Sequence, residues 1–361
     1  MDYYSTESIK LMIDHSKQSL KLSRSTYLAN EIVIVDGLPG CGKTMLSPIL
    51  SSFDRVELIS YAFEVEWICR LNYLKKIDKD AANFMVHNLI DHKIYQTMMG
   101  REVNFRYSDI SSVFNYHNPI KYFKRIFQKG DMVIPSRIKK ERPILNLTTH
   151  DLLSMIDPLV DVFGKNLFIV EVIRHPLFMV IQQALNMERL LFNERDMQVK
   201  IEYKNKDLPY YAFGWEEIFL KSNFVEKAIL YIKYQTLLTE QKKKELNGKI
   251  NHILIPFEMF VKDPNPFMLQ IQDTINSRIT RATKKEMRKQ KVPRKNIVDS
   301  IPLQIYKRCG WEKPEKGLTE FEEFQKRRDF CINQGVSKKI LGELDSLSHA
   351  YEQKFYSPKN N

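Results

Sequence analysis

Residues 31–44, Glu-Ile-Val-Ile-Val-Asp-Gly-Leu-Pro-Gly-Cys-Gly-Lys-Thr, restrict the fold of this chain more than any other stretch. Ile32 to Val35 is an unbroken apolar run rich in β-branched residues, the pattern of a strand buried on both faces. Gly37-x-x-x-x-Gly42-Lys43-Thr44 follows at once, a full match to the Walker A phosphate-binding loop. Glycine permits backbone shapes in which several N–H groups point at one anion, where side chains would obstruct the approach. Lys43 adds a point charge, and a helix beginning near it turns its positive dipole end the same way. Met45, Leu46, Ile49 and Leu50 carry the apolar period of that helix, which places Pro48 in its first turn. The expected nucleotide-binding set is therefore Gly37, Pro39, Gly40, Cys41, Gly42, Lys43, Thr44 and Met45. The strand–loop–helix context separates this reading from an ordinary glycine turn.

Strands alternate with helices along the rest of the chain, which predicts an α/β fold with a parallel central sheet flanked by helices. Strands are expected at 55–60, 143–147, 166–173 and 251–255. Helices are expected at 5–22, 61–73, 78–99 (capped by Asp78), 121–127, 131–142, 151–162, 176–191 and 223–245. Segments 199–203 and 208–213 carry no readable period. Residues 101–117 are polar and aromatic without a period, as in a binding loop, and acceptor contact is expected there. Beyond Pro264 the chain reads as helical, including 299–308, 319–333 and 337–355. No linker or internal repeat divides it. Residues 1–361 are expected to form one P-loop domain with a core of roughly 30–276, a helical insert and a helical extension at 277–361.

Charge and cysteine usage narrow the class. Of a net charge of +12, the segment from Arg278 to Lys295 contributes +8, with nine basic residues and one acid. Such a segment suits a lid over a polyanionic cofactor or a docking arm for acidic partners. Cys41, Cys69, Cys309 and Cys331 form no C-x-x-C pair, so the chain reads as a reduced, cytoplasmic protein without a disulfide framework or zinc site. The most apolar window, 167–183, is broken by Glu171, Arg174 and His175, so no membrane span is expected. His87 and His92, five apart on one helix, do not converge on a metal.

Two further stretches sit at the carboxyl ends of expected strands: Leu145-Asn146-Leu147-Thr148-Thr149-His150, and Phe168 to Pro176, which delivers Arg174. With the loop, their order and spacing resemble the PAPS-dependent sulfotransferases over roughly 30–60 and 143–276. The late segment His252 to Glu258, followed by Lys262-Asp263-Pro264, resembles the same family. The resemblance implies a P-loop fold, PAPS as donor and sulfuryl transfer to a hydroxyl acceptor such as a carbohydrate or small molecule. It implies His150 as catalytic base with Lys43, and Arg174, Gln182, Arg294 and Lys295 as further donor-binding positions. Departures are visible. The lysine falls three positions late in the loop, Met45 stands where the family has tryptophan, Thr148 where it has lysine, and Gln182 where it has serine.

The intact Gly-Lys-Thr also admits a small-molecule kinase or NTPase using Mg-ATP, in which Thr44 would ligate the metal. Against it, no strand ends in a second carboxylate for Mg²⁺, since Glu171 lies mid-strand. A third possibility, a nucleotide-gated protein docking on nucleic acid, has no recognised reader fold behind it. Cys309-Gly310-Trp311 is a further candidate cover for a base or acceptor. Neither the acceptor nor the oligomeric state can be read from the sequence.

Overall fold

The structure, a computed structural model, describes residues 20–191, 193–297 and 317–356. The expected helices at 5–22 (but for its last residues) and 299–308, and Cys309-Gly310-Trp311, lie outside them. Five parallel strands form the central sheet in the order β2-β3-β1-β4-β7. These are β1 (Ile32–Asp36), β2 (Ser60–Tyr61), β3 (Leu145–Thr148), β4 (Leu167–Ile173) and β7 (Asn251–Pro256). The helices, in chain order, are α1 (Lys43–Ser51), α2 (Phe63–Tyr73), α3 (Lys79–Met99), α4 (Pro119–Ile126), α5 (Ile134–Glu141), α6 (Asp157–Phe163) and α7 (Pro176–Leu190). They continue with α8 (Glu216–Lys221), α9 (Phe224–Leu246), α10 (Phe257–Lys262), α11 (Asn265–Thr274), α12 (Arg281–Lys289), α13 (Glu320–Asn333) and α14 (Lys338–Phe355). Among the described residues, no helix is long and apolar enough to cross a membrane.

β1 sits at the sheet centre with all five residues buried, which is why it reads as a continuous apolar run rather than an alternation. Val35 lies opposite Thr148 on one side and Val170 on the other. The carboxyl ends of β1, β3 and β4 therefore reach one edge together, delivering residues 37–44, 149–151 and 174 to the same place.

The unread segments 199–203 and 208–213 contain an antiparallel hairpin, β5 (Lys200–Tyr203) and β6 (Lys206–Pro209). Lys204 and Asn205 turn it with φ of 50° and 59°, the left-handed pair that a two-residue hairpin turn demands. Pro48 is the sixth residue of α1 rather than a first-turn residue, so the Thr44 carbonyl lacks the usual donor four residues on. Asp78 occupies the N-cap of α3, yet its carboxylate caps no first-turn N–H.

The strand expected at 55–60 is reduced to a single bridge between Val56 and Ile144 and to β2 itself. Between them the backbone is captured by α4: the Leu58 N–H donates to the Tyr122 hydroxyl at 2.7 Å. Glu57 is buried there against the same helix. Its carboxylate accepts from both Arg125 guanidinium nitrogens at 2.8 and 2.9 Å, Lys121 at 2.8 Å and the Tyr122 hydroxyl at 2.6 Å. Burial pushes its pKa upward, but the Lys121 and Arg125 charges overcome that and hold it at about 2. A carboxyl depressed in the folded state stabilises above its unfolded pKa and loses that stabilisation as pH falls through the folded value. From an ordinary value of 4.5, the drop corresponds to about 3 kcal/mol. Stability should therefore decline between pH 4.5 and 2, and Glu57→Gln should flatten the decline in urea melts across that window. An unchanged pH slope in that variant would contradict the assignment.

Candidate active site

The loop after β1 owes its shape to positions where only hydrogen fits. A Cβ on Gly37, at φ 144°, would stand 2.2 Å from the Val172 carbonyl oxygen. One on Gly42, at φ 112°, would stand 2.3 Å from the Phe257 ring. Gly42 is also the N-cap of α1, so the Lys43 and Thr44 N–H groups open that helix without intrahelical acceptors. The Lys43 ammonium is buried and folds back on the loop, donating to the carbonyls of Gly37 at 2.5 Å and Leu38 at 3.1 Å. The Cys41 thiol beside it is buried, and burial raises its pKa despite the Lys43 charge, so it is no nucleophile.

Arg174, at the end of β4, donates Nη1 to the Gly40 carbonyl at 3.0 Å. Its Nε is buried without a hydrogen-bond partner, with the Glu258 carboxylate 3.8 Å away. The guanidinium lies over the rings of Phe178 and Phe257 at 4.9 and 4.5 Å. Arg294 covers Phe257 as well, at 5.5 Å, while donating to the carbonyls of Gln290, Lys291 and Ile297. Phe257 thus fills the space beside Gly42 and carries two guanidinium groups.

The remaining candidates divide. Gln182 reaches the neighbourhood of Gly40, while its neighbour Gln183 makes the hydrogen bond, Nε2 to the Pro39 carbonyl at 2.8 Å. Thr44 is partly exposed in the first turn of α1; Met45 is buried in the core. Lys295 is exposed. The basic segment does not form a lid over the loop along its helical part. Thr280 and Thr283, at the start of α12, both donate to the Ser52 carbonyl at 2.9 Å, which fixes that helix at the far end of α1.

On the other side of the loop, the chain after β3 is held by Asp36. Its carboxylate accepts from the Thr149 hydroxyl at 2.7 Å and from the Leu152 and Leu153 N–H groups at 3.1 and 2.8 Å. The Asp151 N–H donates to the Gly37 carbonyl at 3.2 Å, which ties residue 150 to the loop's first turn. Glu66 Oε1 accepts from the His150 backbone N–H at 2.9 Å and lies 3.1 Å from His150 Nδ1. The imidazole is about one-third exposed and lies near-parallel to the rings of Tyr61 and Phe63. Burial acts to raise the Glu66 pKa, but the His150 hydrogen bonds and the His150 and Arg70 charges win, and it is lowered.

Behind the dyad is a buried network that the sequence did not announce. Arg70 bonds Glu66 at 3.0 Å, Asp151 at 2.9 Å and the His150 carbonyl at 3.0 Å, with its guanidinium 4.3 Å over the Tyr210 ring. The hydroxyls of Tyr210 and Tyr231 donate to the other Asp151 oxygen. Burial raises the Asp151 pKa in spite of Arg70. Glu66 and Arg70 are a helical i,i+4 pair, indistinguishable in sequence from a surface salt bridge. Phe257 falls just past the strand expected at 251–255. Neither carried a chemical signature.

Below the loop, a cavity of about 230 Å³ is bounded by Gly37, Cys41, Val172, Arg174, Gln235 and Tyr351 among others. Its acids are engaged: Glu171 accepts from Lys243 at 3.1 Å and lies 2.9 Å from His252 Nε2, while Asp36 and Asp151 are held as above. Among the described residues, no cluster of three or more His, Cys, Asp or Glu side chains is arranged to hold a metal ion.

No known protein family matches the sequence, and no curated protein matches it. Solved structures similar to it include sulfotransferases. The sulfotransferase domain of the curacin biosynthetic pathway is 12% identical with a TM-score of 0.41, covering 86% of this chain and 99% of that one. Sulfotransferase STF9 from Mycobacterium avium is 12% identical with a TM-score of 0.40, covering 91% and 78%. The sulfotransferase domain of the Synechococcus PCC 7002 olefin synthase is 11% identical with a TM-score of 0.37, covering 87% and 98%.

Proposed function

We propose that the chain is a sulfotransferase-like enzyme that moves a sulfuryl group from PAPS to a hydroxyl acceptor. The observation that carries the reading is the flanking of one phosphate loop by an arginine on one side and a histidine–glutamate pair on the other. The residues fit a donor with two separated anionic groups. Lys43 and the first-turn N–H groups suit the 5′ end, and the guanidinium of Arg174, ion-paired with Glu258 at 3.8 Å, suits a second phosphate. Gln182 and Arg294 border that second position. The donor, once bound, supplies an electrophilic sulfur and a phosphate leaving group.

The chain's own residues supply the rest. Donation of Nδ1–H to Glu66 leaves the His150 Nε2 lone pair to accept the acceptor's hydroxyl proton. The Glu66 carboxylate then faces the imidazolium that forms. The loop amides, joined by Lys43 once its ammonium turns from the Gly37 and Leu38 carbonyls, would stabilise negative charge developing on the leaving phosphate.

Calorimetry with the product nucleotide, adenosine 3′,5′-bisphosphate, against ATP with and without Mg²⁺ tests this directly. Metal-independent binding of the bisphosphate is expected, and Lys43→Ala should weaken it about 10- to 100-fold through loss of a charge-assisted hydrogen bond. The Mg-ATP reading is weaker because, among the described residues, Asp36, Asp151 and Glu171 at the strand ends are each held by protein donors. Magnesium-dependent ATP binding without bisphosphate binding would reverse that order.

A further inference from the structure

Residues 101–133 put an apolar surface where a soluble helix normally puts charge. In α4, Tyr122 and Arg125 face inward, and Ile120 and Phe123 point outward, continued by Phe127 just past the helix end. This spacing of three and four residues makes one stripe on one helical face. Phe105 and Phe114 join it, with ring centroids 6.1 to 6.3 Å from Phe123 and from each other. The ridge is open: Phe127 is 88% and Met132 90% exposed. Apolar patches of this kind on a folded surface mark an interaction site.

Charge selects the partner. From Arg101 to Lys140 there are nine basic side chains against three acidic ones, a local +6. Glu57 takes two of the bases inward, while Arg106, Lys124, Lys129, Lys139 and Lys140 stay exposed. We infer that this face docks on an anionic lipid bilayer, with Phe127 and Met132 entering the headgroup–acyl boundary and the lysines meeting lipid phosphates. An exposed aliphatic-and-aromatic surface in a segment of exposed lysines suits an interface that is apolar within and anionic at its surface. Single-stranded nucleic acid fits less well. The rings meet at 47° to 66° rather than presenting parallel faces for bases, and Met132 offers nothing to stack. The inference stands apart from the proposed transfer reaction.

The test is co-sedimentation of the full chain with phosphatidylcholine vesicles, with and without phosphatidylserine, at low and high salt. Binding that needs phosphatidylserine and weakens with salt is expected. Phe127→Ser combined with Met132→Ser, and separately Lys124→Glu combined with Lys129→Glu, should each weaken binding by about tenfold or more. Both variants should keep the wild-type melting temperature, because the four side chains lie outside the core; the charge-reversed variant alone suffices if the apolar one misfolds. Three results would overturn the inference: no binding of wild type to either vesicle, vesicle binding untouched by the variants, or variant-sensitive binding to a single-stranded oligonucleotide without vesicle binding. Self-association of the wild type abolished by Phe127→Ser, without vesicle binding, would assign the face to a second copy and overturn it equally.

Discussion

Arg70→Met is expected to lower the free energy of unfolding by about 3–5 kcal/mol, read from urea melts at neutral pH. Arg70 is the cation that lies between two buried carboxylates, Glu66 and Asp151, at 3.0 and 2.9 Å. Its removal leaves buried Asp151 without its compensating charge and buried Glu66 with His150 alone. The Tyr210 and Tyr231 hydroxyls on Asp151 are neutral donors and cannot replace it. A cycle separates lost attraction from stranded charge. Adding Glu66→Gln and Asp151→Asn to the Arg70 variant should recover part of the loss, because neutral amides cost less to bury than unpaired carboxylates. A single-variant loss below about 1 kcal/mol would mean that the network is solvated like a surface ion pair.

His150→Ala is expected to reduce turnover by about 10²- to 10⁴-fold, the usual contribution of a positioned general base. The measurement is release of the bisphosphate nucleotide from PAPS with a panel of hydroxyl acceptors. Binding of that nucleotide should be unchanged, since His150 and Arg174 flank the loop from opposite sides. Glu66→Gln should give a smaller loss, about 10- to 100-fold, because it disturbs the tautomer and the forming imidazolium rather than removing the base. It should also alter the acid limb of the pH–rate profile, a readout that a purely structural glutamate would not move. Equal turnover in His150→Ala and wild type would place the base elsewhere.

The parts of the site that were legible in the sequence share one property: their chemistry is local. The loop at 37–44 is written in contiguous residues, because glycine positions, a lysine and a helix start must follow one another to wrap an anion. Strands β1 and β4 were legible because strands covered on both faces read as largely apolar runs, while β3 and β7 carry polar residues among their apolar ones. The segment at 55–60 misled because its β pattern is real but the Leu58 N–H is taken by Tyr122, a residue 64 positions later, and the Val56 carbonyl by Tyr116. Segments 199–213 had no readable period because a short hairpin depends on two left-handed turn residues, and Lys204 and Asn205 do not announce that conformation as glycine would.

By itself, then, the order of residues determined the glycine loop at 37–44, the parallel α/β plan and the delivery of Arg174 and His150 at strand ends, since each follows from backbone geometry within a few residues. Only the tertiary structure decided which side chains stand around that loop. It brought Glu66 and Arg70 behind His150, set Phe257 between Arg174 and Arg294, and moved the basic helix away to Ser52. The physical reason is that buried charge pairing and ring packing are settled by what lies nearby in space, and spacing along the chain carries no trace of contacts between residues as far as 228 positions apart.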